Sequence, residues 1–136
     1  MTIELWVLLG LALLLFAAIF VQQITMDKVY GTQYALSNRD GPARLSPDVE
    51  RLGRLVRNHV EGLAVFTPLV LVATLTQTSN AFTQVAALVI LAARILHFVF
   101  YALGVTPLRS VVWGIGFLLA TPAFIFGLFR GIGLPF

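Results

Sequence analysis

The stretch Asp48-Val-Glu-Arg-Leu-Gly-Arg54-Leu-Val-Arg57-Asn58-His-Val-Glu61 runs directly into Gly62-Leu-Ala-Val-Phe-Thr-Pro-Leu-Val-Leu-Val-Ala-Thr-Leu75, so a charged half is fused to an apolar half. Wound as one helix, Arg51, Arg54, Asn58 and Glu61 stand at i, i+3, i+7 and i+10 and share a face. A second segment repeats the spacing with Arg94, His97 and Tyr101 at i, i+3 and i+7. Ionisable residues at membrane depth are costly, so they face a bundle interior or a watery cavity and mark function. Two facing stripes predict a polar pocket between helices.

Around these stripes the chain is apolar. Of 136 residues, 59% are hydrophobic and only 11% charged, and the mean hydropathy is +0.93. Soluble domains carry roughly 25% charged residues, so the composition predicts an integral membrane protein of one domain covering residues 1–136. The formal charge of +3 raises the question of nucleic acid. No basic patch with interleaved aromatics stands outside the apolar segments, which excludes that class. Cysteine is absent, which excludes disulfides, thiolate metal sites and a protein thiol nucleophile. Any sulfur chemistry needs a sulfur carried by a ligand. The amino terminus has the acidic Glu4 and no Lys or Arg before its apolar run, unlike the basic start of a cleavable signal. Its run over 5–24 is long enough to cross a hydrocarbon core of about 30 Å.

The pattern predicts an all-α, up-down four-helix membrane bundle with helices over about 2–25, 47–76, 80–103 and 107–129. Ser46-Pro47-Asp48 starts the second, with Ser46 as N-cap, Pro47 at the first helical position and acids in the first turn. Gly104 is a natural residue to end the third. Pro68 and Pro122 fall inside the second and fourth and predict kinks. Gly114, Gly116, Ala86, Ala92 and Ala93 are small enough for close helix packing. Lys28, Arg39, Arg44 and Arg51 cluster between the first two spans, with Arg109 just after the turn between the third and fourth, whereas residues 77–80 carry no charge. The positive-inside rule then puts the long connection over 26–45 and the 104–107 turn in the cytoplasm, with both termini outside; Arg130 is a mild counter-signal.

At 1.5 Å per residue, Glu61 lies about 15 Å beyond Arg51, and Arg94 lies at a similar depth on the antiparallel third span. They can form a buried ion pair that serves only to fix the bundle. The charges do not balance, however. Arg54, Arg94 and Arg109 leave an excess of positive charge near the membrane even if Arg51 and Arg57 sit at headgroups, which calls for an anionic ligand or an anionic lipid. Arginine presents a planar fork for carboxylates, Asn58 offers a donor and an acceptor, and Glu61 can receive an ammonium. A small zwitterionic peptide richer in carboxylates than amines satisfies this set, and lipid phosphate satisfies part of it. Tyr101 reads as a ligand contact or an interfacial anchor, and His97 as a ligand contact or a satisfied bundle histidine. Arg109 with Ser110 opens the fourth helix, where an anion is favoured and a guanidinium holds a thiol in its charged form; Arg109 reads equally as a topology anchor. No second His or acid stands at metal-ligand spacing, so no metal is expected.

The run from Asp48 to Glu61 resembles the second-helix signature of the MAPEG superfamily (membrane-associated proteins in eicosanoid and glutathione metabolism). Arg94-Ile-Leu-His97-Phe-Val-Phe-Tyr101, then Gly104 and Arg109-Ser110, resembles that family's third helix and the opening of its fourth. The resemblance implies a homotrimer binding glutathione between neighbouring subunits near the cytoplasmic side. Carried over by position, Arg54, Arg57, Asn58, Glu61, Arg94, His97 and Tyr101 would line the glutathione pocket, with Arg109 stabilising the thiolate and Ser110 beside it. Members that make eicosanoids usually carry an arginine toward the end of the first helix. Here the region reads Val21-Gln22-Gln23-Ile24, and Lys28 is the first cation. That departure points toward a general glutathione transferase or peroxidase of bacterial type, set in the bacterial inner membrane and acting on lipophilic electrophiles or hydroperoxides that arrive with membrane lipid. Two other readings stay open: a non-catalytic scaffold or lipid- or glutathione-binding module, and, ranked last, a small proton-coupled exporter.

Overall fold

The computed structural model describes residues 1–39 and 46–133; Arg44, counted above among the topology cations, lies outside them. Among the described residues, four helices are long and apolar enough to cross a membrane. Helix α1 covers Ile3–Tyr30, the short α2 covers Thr32–Leu36, α3 covers Pro47–Leu75, α4 covers Ala81–Leu103 and α5 covers Thr106–Ile132. They form an up-down bundle in which α1 packs on α3 and α4, and α5 packs on α4.

Local chemistry sets most of the boundaries. Thr2 Oγ1 accepts from Leu5 N at 3.4 Å to cap α1, and Ser46 Oγ accepts from Val49 N at 3.3 Å to cap α3, with Pro47 in its first turn. Asn80 and Thr83 cap α4 reciprocally, each side chain accepting from the other residue's backbone N–H, which satisfies two orphan donors. Gly104 closes α4 at φ 74°, a left-handed conformation that costs glycine nothing. Helix α1 continues to Tyr30, past the expected end near residue 25, because nothing between Thr25 and Tyr30 breaks a helix until Gly31 at φ 81°.

The two internal prolines differ in effect. Helix α3 runs through Pro68 as continuous α-helix. In α5, residues Ile115–Ala120 form a π-helical turn just ahead of Pro122. Proline lacks an N–H and crowds the carbonyl one turn back, and widening the helix relieves both. Thr121 helps hold the wide turn, its hydroxyl donating to Gly116 O at 3.0 Å.

The main core joins Val7 and Leu11 of α1, Phe66 and Val70 of α3, Ala87 and Ile90 of α4, and Phe124 and Leu128 of α5. Phe66 and Phe124 meet edge to face with centroids 5.2 Å apart, the arrangement that ring quadrupoles favour. A smaller cluster of Ala18, Leu52, Leu55 and Tyr101 lies toward the arginine-rich end. Of the small residues expected at close contacts, Gly116 meets Ala93, since a Cβ on Gly116 would lie 3.0 Å from that of Ala93. Ala86 is also buried. Among the described residues Gly114 has no neighbour within 4 Å of where its Cβ would be, and Ala92 is exposed, so neither is buried at a close helix contact. At the opposite end, Glu4 is fully buried. Thr83 Oγ1 donates to its Oε1 at 2.6 Å, and Ser79 Oγ lies 2.8 Å from the same oxygen. This network ties the start of α1 to the turn before α4.

Candidate functional site

Helix α3 carries its polar stripe along the outside of the chain. Arg54, Arg57 and Glu61 are exposed and Asn58 is half-buried. Within the stripe, Arg51 pairs with Asp48 at 2.7 Å and Arg54 with Glu50 at 3.4 Å. Asn58 Nδ2 donates to Arg54 O at 3.4 Å. Such exposed pairs contribute little stability in water.

Two cavities flank this stripe. Between α3 and α1 lies one of about 550 Å³, walled by Gln22, Glu50, Gly53, Arg54 and Arg57 among others. Between α3, α4 and the start of α5 lies one of about 440 Å³, walled by Asn58, His97, Tyr101, Arg109, Ser110 and Trp113. Both volumes fall in the range of small-molecule sites. Five of the residues singled out from the sequence thus meet in the second cavity, whereas Arg54 and Arg57 open into the first. Glu61 lies in neither wall and stands on the exposed arc between them.

The second cavity is built from ordered contacts. The Arg109 guanidinium lies over the Tyr101 ring, its Cζ 4.6 Å from the centroid, an attraction between cation and ring quadrupole. His97 Nδ1 donates to Arg109 O at 3.0 Å, and the His97 and Tyr101 rings lie 5.2 Å apart. Helix α4 thereby orients the first turn of α5, where Ser110 Oγ donates to Thr106 O at 3.3 Å. One turn on, Trp113 stacks on Phe117 with 5.2 Å between centroids and 17° between planes. Sequence reasoning missed Trp113 as a wall residue, although its spacing of four from Arg109 puts both on one helical face.

Arg94 behaves differently from the expectation of a Glu61 ion pair. It is only 8% exposed, and its Nη1 donates to the backbone carbonyl of Asn58 at 3.1 Å. Among the described residues no Glu61–Arg94 contact within 4.0 Å is present. Gly62 opens a slot in α3 that the guanidinium fills, while Glu61, one residue earlier, points outward. Among the described residues no group of three His, Asp or Glu side chains is placed to hold a metal.

The MAPEG family model matches residues 3–129, nearly the whole chain, and the chain belongs to the MAPEG family. With the four spanning helices, this makes it an integral membrane protein of a family that includes enzymes of glutathione and eicosanoid metabolism. No curated protein and no solved structure matches it.

Proposed function

We propose that the chain, as one domain over 1–136, is a glutathione-dependent membrane enzyme of the transferase or peroxidase type. In this reading it acts as a homotrimer on lipophilic electrophiles or hydroperoxides. The observation that carries the reading is the Arg109 guanidinium held over Tyr101 in the wall of a cavity shared with Asn58, His97 and Ser110.

The donor set fits the tripeptide. Arg54 and Arg57 offer forks for its two carboxylates, Glu61 can receive its ammonium, and Asn58 can donate and accept. Arg94, being buried against α3, acts by holding Asn58 and the α3 backbone. The exposed charges of Arg54, Arg57 and Glu61 are too costly to leave against acyl chains, which supports a second copy of the chain covering that face. Each site then forms where the α1-side cavity of one copy meets the Arg109 cavity of the next.

Glutathione supplies a thiol nucleophile. Arg109 stands in the first turn of α5, where peptide dipoles favour negative charge, and its guanidinium adds to that preference for the charged form of sulfur. Ser110 stands beside it. Holding an activated nucleophile against a substrate delivered from lipid is a recognised source of rate. Lys28, Arg39, Arg51, Arg54, Arg57 and Arg109 gather toward one end of the bundle, which supports a cytoplasmic site and external termini by the positive-inside rule. The bacterial inner membrane is the host that this reading assigns.

The test is ultraviolet difference absorbance of the detergent-solubilised protein on adding glutathione. A thiolate band at neutral pH that vanishes in Arg109→Ala, with turnover down about 10²–10³-fold and the oligomer intact, supports the proposal. Unchanged turnover in Arg109→Ala overturns the role of Arg109. Glutathione binding without a thiolate band in the wild type indicates a binding module in place of an enzyme.

A further inference from the structure

His59 stands about 18 Å along α3 from Pro47 at 1.5 Å per residue, on the side turned away from the arginine stripe. It is 2% exposed, and neither ring nitrogen has a hydrogen-bond partner among the described residues. A neutral imidazole carries one donor and one acceptor, and buried polar atoms in folded chains are almost always partnered by protein or by ordered water. In a bilayer no bulk solvent reaches them.

The ring nevertheless adjoins a small hole. His59, Gly62, Arg94, Gly116 and Thr121 are among the residues around a pocket with about 10 Å³ of room for the centre of a water molecule, close to the space one water needs. The other walls are apolar. The three polar side chains have complementary capacity left over. Thr121 has spent its hydroxyl proton on Gly116 O, so its oxygen is free to accept. The Arg94 guanidinium has five N–H donors, of which Nη1 serves Asn58 O. His59 has two unpartnered nitrogens, of which a single water can take one.

We propose that this pocket is a permanent site for one internal water, hydrogen-bonded to His59, Arg94 and Thr121, which joins α3, α4 and the π-turn of α5 at mid-bundle. Three polar partners are the usual complement for a buried water. The site lies where two close contacts and a widened helical turn converge: Gly62 admits the Arg94 guanidinium, Gly116 admits Ala93, and the π-turn brings the Thr121 hydroxyl to it. It stands on this geometry whatever ligand occupies the outer cavities.

The experiment is nuclear magnetic resonance on full-length protein in lipid nanodiscs, labelled with ¹⁵N at its two histidines, with thermal melting of His59→Phe alongside. His59→Phe also assigns the His59 signals, by their loss. The expected result is magnetisation transfer from a long-lived water to the His59 ring, and a lower melting temperature for His59→Phe, which expels the water and strands Arg94 and Thr121. Absence of any water contact to the wild-type ring overturns the proposal, even if the variant does not fold. A melting temperature for His59→Phe at or above the wild type also overturns it, because removing two partnerless nitrogens would then be a gain.

Discussion

Arg94 occupies the slot that Gly62 leaves in α3: a Cβ built on Gly62 would lie 2.6 Å from Arg94 Cζ. The guanidinium is the rigid, buried end of that contact, since its Nη1 is bonded to Asn58 O at 3.1 Å and it is 8% exposed. It cannot swing aside into solvent. Gly62→Ala is therefore expected to destabilise the protein by about 1–3 kcal/mol, the usual cost of overpacking, despite alanine's better helix propensity. Thermal unfolding in detergent checks it, and a stabilised Gly62→Ala would show that Arg94 yields freely.

Removing the other partner separates charge from packing. Arg94→Met keeps much of the volume and removes the charge-assisted hydrogen bond to the Asn58 carbonyl, at a cost of about 1.5–3 kcal/mol. Arg94→Lys is not expected to restore stability, since a lysine lacks the planar fork that fills the slot. Equal melting temperatures for Arg94→Lys and wild type would count against this account.

These contacts mark where sequence reading ends. Ser46, Pro47, Asn80 and Gly104 act on backbone within a few residues of themselves, so the boundaries at 47, 81 and 103 were legible. So was the shared face of Arg54, Asn58 and Glu61, which needs only helical period. The partner of Arg94 was not. It depends on how α4 is rotated against α3 and on the slot at Gly62, and the nearer acid in sequence turned out to point outward. Glu4 likewise read as one polar residue ahead of an apolar run, because its hydroxyl partners lie some eighty positions away along the chain. The π-turn over Ile115–Ala120 needs Pro122 and the Thr121 hydroxyl together, and proline alone predicted only a kink.

Glu4 offers a test at the end remote from the arginines. Its carboxylate accepts from Thr83 at 2.6 Å and contacts Ser79 at 2.8 Å and 3.0 Å. Glu4→Leu would remove the charged acceptor of the half-buried Ser79 hydroxyl and of the buried Thr83 hydroxyl, which keeps Asn80 O at 2.9 Å, costing about 1–3 kcal/mol. Glu4→Gln retains a carbonyl acceptor and is expected to lose less. Hydrogen exchange should speed up at residues 79–83 in Glu4→Leu. Unchanged exchange there would mean the tie does not hold the turn.

The separation of Arg57 and Arg109 into different cavities makes a prediction about assembly. In a closed ring each interface pairs one face with a different face of the neighbour. Arg57→Ala and Arg109→Ala chains, each crippled alone, are then expected to regain activity when co-assembled, with about a quarter of the sites intact under random mixing. Tagged co-expression with turnover measured on the mixed oligomer checks this. Activity no higher than the two variants mixed after separate purification would place both arginines in sites made by one chain.

The stacking of Arg109 on Tyr101 can be separated from the tyrosine hydroxyl. Tyr101→Phe retains the ring face under the guanidinium, so the position of Arg109, and with it the thiolate band on adding glutathione, should persist. Tyr101→Leu removes the quadrupole and is expected to cost about 0.5–2 kcal/mol of that contact, weakening the band and raising the glutathione concentration needed for half-saturation. If Tyr101→Phe and Tyr101→Leu lose the band equally, the hydroxyl acts on the ligand directly and the ring is not what holds Arg109 in place.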